Sequence, residues 1–277
     1  MIHQTISPIT GASQQSLGAL AALLEARTGQ QIAAYRSWRI DTALKPLLRD
    51  RGLASLDALV AVLMDGADKR VADQIIDVLV NQETSFFRDA PVFDMIADAV
   101  RTVEATGRRA RIWCAGCSTG QEPYSLAMLF AERDGGGPLP DIVATDVSDA
   151  AVTRGRAARY TQFEIQRGLP VRRMMRWFSA VGDDWVARDE LRAMVSFRRL
   201  NLIADPVPPG RFDIILCRNV MLYLAIEPKQ AIFANFARAL AAEGMLMLGA
   251  GETVIGQTRL FEPSPLYRGL YHRADAV

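Results

Sequence analysis

Two histidines and three cysteines are all that 277 residues supply of the usual metal and redox side chains. An odd, small cysteine count does not build a disulfide framework and fits a reducing compartment. The net charge is +1, which leaves no bulk electrostatic case for nucleic acid. No apolar run reaches the roughly 18 residues of a membrane span, because Arg238 and Glu243 interrupt the best candidate. The N-terminal stretch MIHQTISPITGAS lacks a basic start and an apolar signal core, so the expected location is cytoplasmic, with no membrane insertion. A GxGxxG fingerprint is also missing, which weakens any reading as a nicotinamide enzyme. What remains is globular in composition, 50% hydrophobic and 23% charged, with ample chain for one large domain or two ordinary ones.

Residues 12–80 read as helices only. Leu17, Leu20 and Leu24 recur at helical spacing, as do Leu56, Leu59, Val60 and Leu63, and then Ala72, Ile75, Ile76 and Leu79. Between them residues 35–51 carry five basic side chains, Arg36, Arg39, Lys45, Arg49 and Arg51, against two acidic ones. This is either a solvated helix face or a docking surface for an acidic partner. Next comes the run TSFFRD, whose adjacent Phe86 and Phe87 suit a segment folded over a pocket with Arg88 fixed by packing, or a plain connector. Pro91 then opens a helix to about residue 101.

From residue 110 the rhythm alternates strand and helix, the pattern of a parallel sheet. The organising stretch is IWCAGCSTGQEPYS: a strand over 110–114, a loop of small residues from Gly116 to Gly120, and a helix opened by Pro123. Such a turn lets backbone approach a ligand and aims helix N–H groups at it, although a tight turn without a ligand has the same look. Cys114 and Cys117 give the same stretch a CxxC spacing, so a redox dithiol with lowered thiol pKa values is a rival. Zinc would need two more ligands, and only Cys217, His3 and His272 are spare.

A second strand, 142–145, ends at Asp146, 26 residues past Gly120. An acid there, about 20 residues on, is placed to hold a ribose hydroxyl pair, or else to cap a helix together with Ser148. A short hairpin, 178–181 and 185–188, is inserted before strand three at 196–200. Asn201 and Leu202 then offer a polar edge and an apolar face that a purine or a simple strand-end turn would use. Strand four, FDIILC at 212–217, runs into Arg218, Asn219, Val220, Met221, Leu222 and Tyr223. A helix over 228–242, a fifth strand at 245–248 and a terminal hairpin within 261–271 close the sheet. Ligands of open α/β sheets bind beyond the carboxyl ends of strands, which gathers the glycine loop, Asp146, Asn201 and the Arg218 segment on one edge.

Taken in order, TSFFRD, GCSTGQEPYS, ATD, NL and CRNVMLY resemble the CheR family of chemotaxis methyltransferases, with the likeness running from about residue 12 to 272. The resemblance implies an all-helical N-terminal domain over 1–85 and a Rossmann-like class I methyltransferase domain over 86–277, with a β-subdomain inserted at about 171–195. It implies transfer of a methyl group from S-adenosylmethionine to receptor glutamates, with no metal. Gln82, Thr84, Arg88, Glu122, Asp146, Asn201, Leu202, Arg218 and Asn219 would line the cofactor, and Arg88 and Tyr223 would serve the reaction. Whether Arg88 holds the substrate carboxylate or the cofactor's own stays open. Gln82 stands where the family often has Asn, and Gln121 where it often has Glu. The basic residues 36–51 would meet the cytoplasmic helices of receptors. The short turn Gly182, Asp183, Asp184, poor in glycine beside receptor-tethered relatives, implies independence from a tethering peptide. A non-catalytic adaptor sensing the cofactor or its demethylated product is the alternative from another class.

Overall fold

The computed structural model describes residues 12–32, 38–133, 137–267 and 269–274. The chain divides into two compact units, Met1–Asn81 and Gln82–Val277.

The first unit is helical among its described residues: α1 Gln14–Thr28, α2 Trp38–Asp50, α3 Leu56–Asp65 and α4 Arg70–Leu79. Ser13 and Ser55 cap α1 and α3 by accepting a backbone N–H three residues on, and Gly29 and Gly66 end them in the left-handed conformation. The helical periodicity is used as expected: Leu20, Leu24, Leu56, Leu59, Ile75 and Ile76 are buried, joined by Ile40, Leu44 and Leu48 of α2. The basic stretch is only partly a free face. Arg51 Nη2 pairs with Asp68 at 2.8 Å and its Nε donates to Gln74 Oε1 at 2.8 Å, which holds the Asp68 carboxyl below its usual value. Lys45 lies 3.5 Å from Asp41 one turn back, whereas Arg39 and Arg49 are exposed; Arg36 lies outside the described residues.

The second unit opens with α5 Pro91–Glu104 and runs β1 Arg111–Ala115, α6 Gln121–Ala131, β2 Asp141–Asp146 and α7 Asp149–Ala157. It continues with β3 Arg159–Thr161, α8 Gln162–Gln166, α9 Val171–Trp177, β4 Phe178–Val181, β5 Asp184–Ala187, α10 Asp189–Arg192 and β6 Val195–Arg199. The last part is β7 Phe212–Cys217, a 3-10 turn Met221–Tyr223, α11 Ile226–Ala239, β8 Leu240–Leu248, β9 Phe261–Pro263 and β10 Leu270–Arg273. Seven strands form one sheet in the order β6-β2-β1-β7-β8-β10-β9. The first five are parallel, and β10 and β9 close the sheet antiparallel. Strand order reverses between β1 and β7, the switch point at which a Rossmann-like sheet leaves its crevice. One face packs Ile112, Cys114, Ile142, Ile214 and Leu216 against α5 and α6 residues such as Ile96 and Leu126. The other packs Trp113, Ile215, Leu246 and Leu248 against Phe233 and Phe236 of α11. Among the described residues no helix is long and apolar enough to cross a membrane.

Three local expectations change. Helix α6 starts at Gln121, so Pro123 is its third residue rather than its first; the first turn has no N–H to lose at either place. Strand β8 begins at Leu240, five residues early, because α11 stops at Ala239 and Leu240 turns extended to pair with Phe212 before a register shift. The small sheet has three strands in the order β3-β5-β4, its third strand coming from residues 159–161, upstream of the hairpin.

Candidate functional site

The loop after β1 is pinned from beneath. Gly116 N–H and Cys117 N–H both donate to the Thr145 carbonyl, at 2.8 and 2.9 Å. Gly116 has φ +80°, and a Cβ on it would stand 2.4 Å from Val220 Cγ2, so only glycine lets the loops after β1 and β7 approach this closely. Ser118, also left-handed, donates its N–H to Asp146 Oδ2 at 2.8 Å and its hydroxyl to the Gln82 carbonyl at 2.8 Å. Asp146 Oδ1 accepts Ser148 N–H at 3.0 Å. Ser148, not Asp146, caps α7, and its hydroxyl accepts Gln82 Nε2 at 3.2 Å. Asp146 is thus a buried cross-link between two loops.

Residues 82–89 form a strap anchored by its aromatics. Phe86 is fully buried, with Tyr160 and Phe178 edge-on at 5.1 and 5.7 Å, and its N–H donates to the Arg167 carbonyl at 3.2 Å. A Cβ on Gly168 would stand 2.0 Å from the Phe86 carbonyl oxygen, so that crossing also requires glycine. Phe87 N–H donates to Ser125 Oγ at 3.0 Å, and Arg173 lies over the Phe87 ring at 4.3 Å. Arg88 departs from expectation: packing does not fix its side chain, which stays half-buried and reaches the Glu83 carbonyl only at 3.5 Å. Gln82 and Thr84 line a cleft of about 500 Å³ together with Thr119, Gln121, Arg154 and Arg167. Gln121 is 2% exposed and accepts the Thr119 hydroxyl at 2.8 Å, a neutral pair at a position where an unpaired carboxylate would be costly.

Arg218 ties the strap to the sheet. Its Nη1 pairs with Glu122 Oε2 at 2.9 Å, and its Nη2 pairs with the Asp89 carboxylate and donates to the Arg88 carbonyl at 3.1 Å. Its side chain is 3% exposed, and Nε is buried without a hydrogen bond. Asn219 is left-handed at φ +60°, and its N–H donates to Glu252 Oε2 at 2.8 Å. Tyr223 closes the 3-10 turn, half-buried. Asn201 Oδ1 accepts Ile203 N–H at 2.9 Å, and half-buried Leu202 accepts Asn235 Nδ2 at 3.1 Å through its carbonyl. Arg88, Glu122 and Arg218 therefore meet in one network, and Gln82 and Asp146 meet in another through Ser118 and Ser148. Asn201 and Leu202 stand at the end of β6, beside Asp146, whose carbonyl accepts Leu200 N–H at 2.8 Å. Glu252 was not anticipated from the sequence; an acid just after the glycines that follow the last parallel strand was its only signal.

Left-handed backbone concentrates here. Five non-glycine residues have positive φ among the described residues, and Phe87, Asp89, Ser118 and Asn219 are four of them. Such conformations cost about 1–3 kcal/mol each and persist where surrounding structure over-determines them, as at binding sites. The thiols do not support the dithiol reading. Burial, with help from the Glu122 and Asp146 charges, pushes the Cys114 and Cys117 thiols well above their ordinary value, opposite to the lowered pKa a reactive pair needs. Among the described residues no group of three His, Cys, Asp or Glu side chains could hold a metal.

The family model described as CheR methyltransferase, SAM binding domain, matches residues 82–269. The chain belongs to the CheR methyltransferase family. A chemotaxis protein methyltransferase of Vibrio parahaemolyticus is 34% identical over 90% of this chain and 93% of its own length. Chemotaxis protein methyltransferase 1 of Pseudomonas aeruginosa is 32% identical over 91% of this chain and 94% of its own. Among solved structures, a TehB-like SAM-dependent methyltransferase of Corynebacterium glutamicum is 19% identical, covering 63% of this chain and 86% of its own at a TM-score of 0.37. As a CheR methyltransferase the protein is an S-adenosylmethionine-dependent enzyme on a class I methyltransferase fold. The residues present fit that cofactor: Arg218 Nε is a buried donor without a hydrogen bond, open to an acceptor on a ligand, and a cleft of about 500 Å³ is lined by Gln82, Thr84, Thr119 and Gln121.

Proposed function

We propose that this methyltransferase esterifies glutamate side chains on the cytoplasmic helices of chemotaxis receptors, releasing S-adenosylhomocysteine. The observation that carries the reading is how the site's carboxylates are spent. Glu122 is committed to Arg218, Asp146 to two backbone amides and Glu252 to three, and no histidine or lysine is among the residues gathered here. Without a poised general base, a site of this kind suits a nucleophile that needs no deprotonation. A glutamate, with a reference pKa of about 4.3, is such a nucleophile at neutral pH.

S-adenosylmethionine supplies a methyl group already activated on a positively charged sulfur. A carboxylate acceptor would take that methyl with the C–S bond breaking as the C–O bond forms, both charges would vanish, and no proton would need to move. The chain's task is alignment. Arg88, half-exposed and weakly engaged, has donors for a carboxylate, either the acceptor's or the cofactor's own. Tyr223 would place its phenol beside the transferring methyl. Gln82, Thr84, Glu122, Asp146, Asn201, Leu202, Arg218 and Asn219 would hold the cofactor, Arg218 through Nε. Arg39, Lys45 and Arg49 of α2, with Arg36, would meet an acidic receptor helix, and Arg51 would contribute least because it is tied to Asp68.

The reading is tested by pH. Single-turnover methyl transfer should be nearly flat from about pH 6.5 to 8.5, because a glutamate acceptor is ionised throughout. A lysine acceptor, with a reference pKa of about 10.4, would make the rate climb steeply across that window and would overturn the assignment.

A further inference from the structure

Glu252 lies past the end of β8, and what it holds is backbone. Its Oε2 accepts Gly249 N–H at 2.7 Å and Asn219 N–H at 2.8 Å, and its Oε1 accepts Leu222 N–H at 3.2 Å. Two of those donors belong to the segment that ends in Tyr223, Asn219 just before the 3-10 turn and Leu222 within it. One of them, Asn219, is in the left-handed region, which asparagine tolerates better than most side chains. Within the turn, Tyr223 N–H donates to the Val220 carbonyl at 3.2 Å and Leu224 N–H to that of Met221 at 3.1 Å. Three converging N–H donors call for an acceptor-only group, and an ionised carboxylate is the side chain that meets them all.

We propose that Glu252 is a positioning residue for methyl transfer: its carboxylate sets the 219–223 turn and so places the Tyr223 phenol. The proposal rests on the role given to Tyr223 above. An amide cannot replace the carboxylate, because its oxygen can serve Gly249 and Asn219 but its NH2 then opposes Leu222 N–H. Glu252→Gln therefore keeps the Asn219 end and releases the Tyr223 end.

The test compares kcat with cofactor affinity in the full chain. Glu252→Gln should lower kcat by roughly 10- to 100-fold, the scale of about 1 Å of misplacement. Its affinity for S-adenosylhomocysteine should stay within about threefold, short of the tenfold that about 1.4 kcal/mol makes. Because Glu252 acts through Tyr223, the variant combining Glu252→Gln with Tyr223→Phe should be no more than about threefold slower than Tyr223→Phe alone. An unaltered kcat in Glu252→Gln, a full rate in Tyr223→Phe, or losses that multiply in the double variant would each overturn the proposal. So would a Glu252→Gln that loses cofactor binding and unfolding midpoint together, which is what a purely structural role gives. If the wild type made only base-stable product, the glutamate assignment would fail, yet the comparison of variants would still be read on that product.

Discussion

Replacing Arg218 with methionine is expected to destabilise the methyltransferase unit by about 3 kcal/mol and to abolish turnover, with Arg218→Lys intermediate. Methionine keeps most of the volume but removes the fork that serves Glu122, Asp89 and the Arg88 carbonyl together. Breaking a buried pair by deleting one partner costs about 3–5 kcal/mol because the other charge is stranded. The lower end applies here, since the Glu122 side chain is 16% exposed and that of Asp89 is 46% exposed. Lysine restores the charge at one point and cannot span both carboxylates. Denaturant unfolding followed by tryptophan fluorescence reads the loss, Trp113 being fully buried on β1. A change under about 1 kcal/mol, as an exposed pair would give, would mean that the network does not hold the strap.

The second large effect is at Asp146. Asp146→Ala should weaken binding of S-adenosylhomocysteine by about 1–3 kcal/mol from the lost ligand contact, with a further loss because Ser118 and Ser148 N–H are left unpaired. Asp146→Asn should fall between, keeping one acceptor oxygen and turning an NH2 toward the other amide. Calorimetry separates the two parts. A folded Asp146→Ala protein with unchanged affinity would leave Asp146 as a loop brace only.

Some of this was legible in the residues and some was not, for reasons that differ by element. The bounds of β7 follow directly from FDIILC, because a strand buried on both faces of a parallel sheet is one continuous apolar run. The start of β8 was hidden, since Ala241, Ala242 and Glu243 continue the composition of α11 and only pairing to Phe212 makes Leu240 extended. Strand β3 is three residues with a single buried side chain, Tyr160, too short for any period. In the site, Gln82 and Asp146 meet through Ser118 and Ser148, and Arg88, Glu122 and Arg218 meet in a second network, a division of labour that the residues alone do not show. Asp146 and Arg218 read as ligand contacts, and in the fold they first hold loops together. Glu252 leaves only its place after the glycines as a signal, because its partners are backbone amides, which carry no residue identity. Arg51 read as part of a charged face, and its tie to Asp68 and Gln74 depends on how α2 and α4 pack.

The most direct measurement is the chemistry of the methylated product. The protein should be incubated with methyl-labelled S-adenosylmethionine and a receptor cytoplasmic fragment, and the modified receptor then treated with mild base. A glutamyl methyl ester releases its label as volatile methanol, and that release is the predicted result. Label that stays on the receptor after base, as an N-methyl group would, contradicts a carboxylate acceptor and with it the account of a site that needs no general base.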